Sequence, residues 1–416
     1  MPTENRKSIL RVVCSGRMLV ALLMGFACGL PLLLTITVLQ AWMKEQGVDL
    51  AAIGMMSLVG VPYTLKFLWA PFLDRFTLPF LGRRRGWLLI AQLSLMGAIV
   101  GLGSTDPKED LWTVAFVAFL VTFFSASQDI VVDAYRREDL PDEELGLGSS
   151  FYINGYRVGM LLASGGGLIL ADHMAFSMVY FIMAACMLPG VFTTLFAPEP
   201  KISDDPPKTL REAVFYPMIE YFSRRGALWI LAFILFYKIG DTMASTMTTP
   251  FYLDIGFSKT EIGAVVKLFG FWATIAGSLA GGIIMIRMGI HRSLWIFGGL
   301  QAVSTACFAI LARVGHSVAL LSGVIAFENL SSGMGTAAYA AFMASITNKK
   351  FTATQYALLT SLMGVPRVLA SAPTGFLAKH IGWEMFFIFC TLIAVPGMLL
   401  LLKFASWKKD ATEVER

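Results

Sequence analysis

The chain has 416 residues, of which 56% are hydrophobic and 15% are charged, and its formal net charge is +5. Soluble domains carry about 25% charged residues, so this composition leaves too little charge to cover a soluble surface. Composition therefore argues against soluble enzymes, disordered proteins and nucleic-acid binders, and it indicates a polytopic membrane protein.

Twelve apolar stretches are long enough to cross a membrane, since about 20 residues span roughly 30 Å of hydrocarbon. The predicted spans are 18–38, 52–73, 87–104, 111–134, 149–171, 174–197, 227–249, 261–286, 293–312, 317–346, 352–378 and 382–403. The stretch before Met18 is basic, but the apolar run that follows is too long for a cleaved signal peptide, so we predict a cytoplasmic tail.

Lysine and arginine are concentrated in alternate loops between the predicted spans. With the N-terminus inside, 23 of the 33 lie in inner segments and 5 lie in outer loops. The positive-inside rule then predicts that both termini face the cytoplasm. The same distribution explains the positive net charge without any acidic partner such as nucleic acid.

The longest polar loop, 198–226, falls between the sixth and seventh predicted spans. It contains the capping-box pattern Thr209-x-x-Glu212, which is typical of a helix start. We predict a cytoplasmic linker that leads into a short interfacial helix, bent at Pro217.

The two sides of this linker resemble each other. Residues 170–190 align without gaps on 377–397 and share a His, a Pro and a Gly at one offset. We therefore predict an all-α polytopic membrane protein with 12 transmembrane helices in two pseudo-symmetric six-helix halves, 1–197 and 227–416. This pattern is typical of the major facilitator fold, in which the substrate binds between the halves near the midplane.

Apart from Glu261, Glu384 and Lys403 near span ends, nine charged residues fall inside the predicted spans, where a charge costs about 2.5–3.5 kcal/mol at the helix centre. They are Lys66, Asp129, Asp133, Arg157, Lys238, Asp241, Lys267, Glu328 and Arg367. A passive helical bundle has no need of so many, and they indicate a hydrated central path. The five cations exceed the four carboxylates by one, so complete internal pairing would leave one cation over.

Carboxylates are the candidates for proton coupling, because all four histidines fall in predicted loops. Asp129 and Asp133 share a helix face, and Arg157 differs from Asp129 in depth by only about 5 Å. An Asp129–Arg157 pair would be a protonatable switch or a structural ion pair, whereas Asp133 is better explained as structural. Glu328, halfway along span ten, is the second proton candidate, and Arg367 is among its potential partners.

Lys238 and Asp241 are three residues apart near the middle of span seven, so they are neighbours on one helix face. This pair would either neutralise itself or take part in transport, and we assign Asp241 a structural or gating role.

Asp74 and Arg75 precede the run Gly82-Arg-Arg-Arg85 in the loop after span two. Anchoring by positive charge explains the arginines but not the acid. We therefore predict a conformational latch that uses Asp74, Arg75 and Arg83.

Several motifs of other classes are absent from the sequence. There is no GxxxxGK[ST], HExxH or GxSxG, and the five cysteines occur singly without metal-ligand spacing. We predict no enzyme activity, no ATP-driven engine, no cofactor and no metal site.

Short blocks throughout the chain resemble the AmpG muropeptide permease family. They are Gly25-Phe-Ala-Cys-Gly-Leu-Pro31, Lys66-Phe-Leu-Trp-Ala-Pro71, Gly82-Arg-Arg-Arg-Gly-Trp87, Ser125-Ala-Ser-Gln-Asp-Ile-Val131, Gly155-Tyr-Arg-Val-Gly-Met160, Tyr237-Lys-Ile-Gly-Asp241, Phe327-Glu-Asn-Leu330 and Ala353-Thr-Gln-Tyr-Ala357. The resemblance covers nearly the whole chain and includes most of the buried charges.

The resemblance implies a proton-driven importer in the inner membrane of a Gram-negative bacterium. Its cargo would be N-acetylglucosaminyl-1,6-anhydro-N-acetylmuramic acid, with or without a short peptide, recovered for peptidoglycan recycling. Where an inducible β-lactamase is present, this import also feeds its induction and so β-lactam resistance. Some family members carry additional C-terminal spans, and we expect only the core transporter here.

Substrate contacts are expected mainly from Lys66 and Lys238, because each lies near mid-depth and belongs to one of these blocks. The other candidates are Arg367, Arg157, Gln128, Asn329, Trp69, Tyr156 and Gln355. We expect the protein to act as a monomer in the lipid bilayer. The alternatives are a related facilitator for another organic anion, such as acetyl-CoA, and a non-transporting receptor on the same scaffold.

Overall fold

The fold is all-helical within the part of the chain that the structure, a computed structural model, describes. This part comprises residues 9–48, 50–200, 209–224, 226–258, 261–370 and 373–404, and no strand occurs in these ranges. The helices are α1 Ile9–Val13, α2 Gly16–Leu33, α3 Leu39–Glu45, α4 Leu50–Met55, α5 Val61–Leu65, α6 Ala70–Arg75, α7 Arg85–Gly103, α8 Leu111–Asp139, α9 Leu145–Leu161, α10 Gly167–Ala171, α11 Phe176–Ala185, α12 Leu188–Phe196, α13 Leu210–Ser223, α14 Ala227–Phe236, α15 Ile239–Asp254, α16 Gly270–Met288, α17 Ile290–Val314, α18 Val318–Ser345, α19 Thr352–Leu369 and α20 Thr374–Phe404.

Nine helical stretches in the described ranges are long and apolar enough to cross a membrane. Nine of the twelve predicted spans match them, which leaves 52–73, 149–171 and 352–378. Within the described ranges, 52–73 is helical only in short pieces and 352–378 contains α19 and the start of α20. The span 149–171 lies within a continuous helical run from Leu145 to Ala171, with a π-helical turn at Leu162–Gly166. The number twelve therefore remains a prediction, while the all-helical membrane class is confirmed.

The second predicted span is interrupted because it contains two prolines and two glycines. Short 3₁₀ stretches at Met56–Gly60 and Lys66–Leu68 separate α4, α5 and α6. Pro62 and Pro71 each stand at the start of a helical piece, where the missing N–H is tolerated. Lys66 consequently lies where the helical backbone is irregular.

Three further segments have the wider turn of a π-helix. They are Leu34–Val38, Leu162–Gly166 and Ile262–Phe269. π-Helical turns are rare and occur frequently at functional sites. The last of the three contains another lysine from the predicted spans, Lys267.

The described residues form two compact units. Of the described residues, those within 1–218 and 346–361 form the first unit, and those within 219–345 and 362–416 form the second. The predicted division into 1–197, 198–226 and 227–416 is not tested by these units and stays a prediction.

Close helix packing in the first unit depends on glycine. A methyl group on Gly25 or Gly29 of α2 would collide with the backbone carbonyl of Tyr152 or Tyr156 of α9. In the second unit, a methyl group on Gly277 of α16 would collide with the backbone carbonyl of Leu330 of α18 in the same way. These contacts set which faces of the helices meet.

The predicted capping of α13 is confirmed. The Glu212 backbone N–H donates to Thr209 Oγ1 at 3.1 Å, and Pro217 lies within the helix. The linker residues 201–208 lie outside the described ranges.

Candidate functional site

A carboxylate with two cationic neighbours lies inside the first unit. Asp133 Oδ2 is 3.9 Å from Lys66 Nζ, and Asp133 Oδ1 is 3.1 Å from Arg136 Nη2. The Lys66 and Asp133 side chains are each only 8% exposed. Burial strengthens their attraction, and the structural role expected of Asp133 stays a prediction.

Asp129 lies one turn before Asp133 on α8 and is 7% exposed. It forms a hydrogen bond with the thiol of Cys28, which also accepts one from Gln128 Nε2 at 3.3 Å. Asp129 Oδ1 and Gln128 Oε1 accept no hydrogen bond from any described residue. A buried acceptor without a donor costs about 1–3 kcal/mol, so these oxygens are suited to receive a proton, a water or a ligand N–H.

The pair between Asp129 and Arg157 stays a prediction, since no ion pair among the described residues of this structure includes Asp129. Similar depth on neighbouring helices does not fix the direction in which a side chain points.

Aromatic side chains surround this carboxylate cluster. Tyr63 Oη donates to Ser125 Oγ at 2.9 Å, and Trp69 Nε1 donates to Ser127 Oγ at 3.0 Å. The rings of Tyr156 and the neighbouring Tyr152 are 6.2 Å apart. Aromatic faces and polar groups on rigid helices are suited to binding an amphipathic sugar.

Arg136 is a member of the cluster that sequence reasoning missed. Its guanidinium lies 4.5 Å from the ring centre of Tyr152 and donates to Tyr356 Oη at 2.7 Å. The predicted span 111–134 ends two residues before Arg136 and would leave this arginine in a loop. Helix α8 continues to Asp139 and buries it.

Asp74 is the centre of a second buried cluster. Its carboxylate lies 2.8 Å from Arg84 Nη2 and 3.3 Å from Arg83 Nη2. It also accepts from the Thr354 backbone N–H at 2.8 Å and from Thr354 Oγ1 at 2.7 Å. Asp74 thus holds the first turn of α19 and the arginine loop together.

Arg75, the third residue of the predicted latch, has a different contact. It lies over the ring of Phe76 at 5.3 Å and forms no ion pair within the described part of the chain. The buried Asp74 cluster therefore includes Arg83 and Arg84 but not Arg75, and its role as a latch stays a prediction.

Two acids complete this cluster and were not predicted. Glu138 Oε2 accepts from Arg84 Nε at 2.9 Å, and Glu199 accepts from the backbone N–H groups of Arg84 and Arg85. Burial lowers the pKa of Arg84, but Glu138 and Asp74 more than offset this and keep the pKa above its ordinary value. Glu199 therefore caps the N-terminus of α7, although it is distant from α7 in the sequence.

The second unit contains its own lysine–carboxylate pair. Lys238 Nζ is 3.3 Å from Asp241 Oδ2 and donates to Thr336 Oγ1 at 2.9 Å. Both charged side chains are 18% exposed, and Lys238 lies at the break between α14 and α15. The predicted neighbours on one face do form the pair.

Glu328 and Asn329 lie side by side on α18 and are half-buried. Asn329 Oδ1 accepts from Thr274 Oγ1 at 2.7 Å, and its Nδ2 donates to the Ile325 carbonyl at 3.0 Å. These hydrogen bonds favour a structural role for Asn329, which joins α16 to α18, over the predicted substrate contact. The side chain of Arg367 lies outside the described residues.

Gln355 also has internal partners. Its Nε2 donates to the Pro217 carbonyl at 3.1 Å, and its Oε1 accepts from the Asn348 N–H at 2.8 Å. With 1% of its surface exposed, Gln355 is placed to connect α13 with the start of α19, and the geometry favours a structural role over the predicted substrate contact.

Comparison with known proteins agrees with this architecture. The sequence matches the Major Facilitator Superfamily over residues 18–371 and again over 239–415. The anhydromuropeptide permease of Escherichia coli K12 is 44% identical over 395 residues, covering 94% of this chain and 80% of that protein. A putative transporter AmpG 1 of Rickettsia prowazekii is 32% identical, covering 92% of this chain and 96% of that protein.

The solved crystal structure of the human organic anion transporter MFSD10 has the same fold. Its TM-score is 0.66 at 15% identity, and the match covers 96% of this chain and all of that one. The helices, the buried charges and these matches define a multi-pass membrane transporter of the major facilitator superfamily. Within that superfamily, the chain belongs to the AmpG family of permeases.

Proposed function

We propose that this protein imports anhydromuropeptides from the periplasm to the cytoplasm by proton symport. The observation that carries the proposal is the 44% identity, over 94% of the chain, to the anhydromuropeptide permease of Escherichia coli. The protein would lie in the inner membrane of a Gram-negative bacterium, with both termini in the cytoplasm, and would act as a monomer. Its role would be peptidoglycan recycling.

Asp129 is the first candidate for the coupled proton. It is buried, one of its oxygens has no donor among the described residues, and Lys66 pairs with Asp133 one turn further along the same helix. A carboxylate in this setting can alternate between a neutral and an ionised form as its surroundings change. Glu328, half-buried on α18, is the second candidate.

Lys66 and Lys238 are the proposed cationic contacts for the cargo, with Arg367 and Arg157 as further candidates. Each lysine is now bound to an aspartate, so a cargo carboxylate would compete with that aspartate for the ammonium. This competition would link cargo binding to the charge of the aspartates. Trp69, Tyr156 and Gln128 would contact the sugar rings.

Asp74 is the proposed latch. Its carboxylate binds two arginines and the first turn of α19. A charge held by so many donors favours one arrangement of these helices, and transport would require its release and reformation. Arg83 and Arg84 would act with it.

The experiment is uptake of labelled anhydromuropeptide into vesicles that contain the purified protein, with an imposed proton gradient. We expect accumulation against the cargo gradient, abolished by a protonophore. Acetyl-CoA and other organic anions serve as competitors. Accumulation of acetyl-CoA without muropeptide would support the alternative cargo, and binding without flux would support a receptor.

A further inference from the structure

Lys267 is the third lysine within the predicted spans, and it differs from the other two in its contacts. Lys66 Nζ lies 3.9 Å from Asp133, and Lys238 Nζ lies 3.3 Å from Asp241. Lys267 forms no hydrogen bond or ion pair with any residue that the structure describes, and its side chain is exposed. Lys267 is therefore the candidate for the one cation that exceeds the number of carboxylates in the predicted spans.

The backbone around Lys267 is irregular and leaves space beside the lysine. It lies in the eight-residue π-helical segment Ile262–Phe269. Gly263 precedes Lys267 by one turn, and a Cβ placed on Gly263 would meet no atom within 4 Å. Residues separated by one turn share a face, so the ammonium has open space on its side of the helix.

The ends of this segment are held in place. One and two turns beyond Lys267, Gly270 and Thr274 pack against Asn329 of α18, with the hydroxyl of Thr274 donating at 2.7 Å. At the other end, the nearest acid in the sequence, Glu261, accepts from the Ser258 N–H at 2.8 Å and lies 3.3 Å from His316. Glu261 therefore has other partners, and Lys267 is held on an anchored helix with no carboxylate bound to it in the described ranges.

An ammonium inside a span is costly when it faces hydrocarbon, so such residues face a water-filled path or reach the interface. Lys267 lies roughly 8 Å inside the start of its helical segment, counting about 1.5 Å per residue. A carboxylate that enters a low-dielectric site needs a cationic partner. At Lys66 and Lys238 it would have to displace an aspartate, whereas at Lys267 it would not.

We propose that Lys267 is an anion-binding residue of the transport pathway and receives a carboxylate of the incoming cargo through a charge-assisted hydrogen bond. The assignment rests on the proposed function, because it takes the cargo to be an anionic sugar peptide. It adds the residue at which the negative charge of that cargo is first compensated.

The test compares Lys267→Gln with Lys267→Arg in vesicles that contain equal amounts of inserted protein. The two cargoes are a peptide-bearing anhydromuropeptide and the same compound with its carboxylates converted to amides. We expect Lys267→Gln to raise KM for the charged cargo by about tenfold or more, equivalent to about 1.4 kcal/mol. KM for the amidated cargo should stay the same, and Lys267→Arg should retain most of the affinity.

Arg313→Gln is the matched control, because Arg313 is a cation at an outer loop by our topology, 78% exposed and 3.8 Å from Glu384. It should leave both KM values unchanged, which separates binding at Lys267 from general attraction of anions to the surface. An unchanged KM in Lys267→Gln, or an equal loss for both cargoes, would overturn the assignment and leave the proposed function intact. A wild-type protein that transports neither cargo would overturn both.

Discussion

Replacing Asp74 with Asn removes one negative charge from a fully buried site and keeps the shape of the side chain. The carboxylate lies 2.8 Å from Arg84 and 3.3 Å from Arg83, and it accepts from the N–H groups of Ala353 and Thr354 at 3.3 and 2.8 Å. Removing one partner of a buried ion pair typically costs about 3–5 kcal/mol. We therefore expect Asp74→Asn to disfavour the arrangement seen here by at least about a hundredfold, since each 1.4 kcal/mol is about tenfold.

Hydrogen exchange reports this change directly, because the Ala353 and Thr354 amides are donors to Asp74. Their protection should fall by about a hundredfold in Asp74→Asn, following the same free-energy difference. Arg75→Gln is the control, since Arg75 is the next residue and contacts Phe76 instead. Equal protection in Asp74→Asn and the wild type, or an equal loss in Arg75→Gln, would refute the latch.

Three further predictions concern coupling, cargo binding and topology. Asp129→Asn should abolish proton-driven accumulation but retain exchange of cargo between the two sides of the membrane. Normal accumulation by the well-inserted variant would mean that another residue carries the coupled proton. Lys66→Gln or Lys238→Gln should weaken the binding of peptide-bearing cargo by about tenfold, or about 1.4 kcal/mol, and the binding of the peptide-free disaccharide by less. Equal losses for the two cargoes would mean that these lysines hold helices together. An impermeant thiol reagent on intact spheroplasts should label Lys108→Cys and not Lys201→Cys, and the reverse result would contradict the positive-inside assignment.

The two lysines that pair with aspartates differ in a way that bears on these experiments. Asp133 is bound by both Lys66 and Arg136, so loss of Lys66 leaves it one cationic partner. Asp241 has Lys238 as its partner, with Thr336 on the same ammonium. Lys238→Gln should therefore reduce thermal stability more than Lys66→Gln, because it leaves a more poorly compensated buried charge.

The sequence by itself determined the membrane class, most of the long spans, the cap of α13 and the pairing of Asp74 with the arginine loop. Hydropathy and capping patterns depend on residues close together in the chain, and this is why they could be read without a structure. The same is true of Lys238 and Asp241, which are neighbours on one helix face because of their spacing.

Only the tertiary structure decided which buried charges on different helical segments meet. Asp133 lies 3.9 Å from Lys66, while Arg84 binds Glu138, 54 positions along the chain, and Asp74 binds Thr354, 280 positions along it. Such contacts depend on which helix faces pack together, and Gly25 and Gly29 help to set that choice by admitting α9. Spacing within one helix fixes the depth of a charge and its face, but only the packing of a second helix decides what lies opposite it.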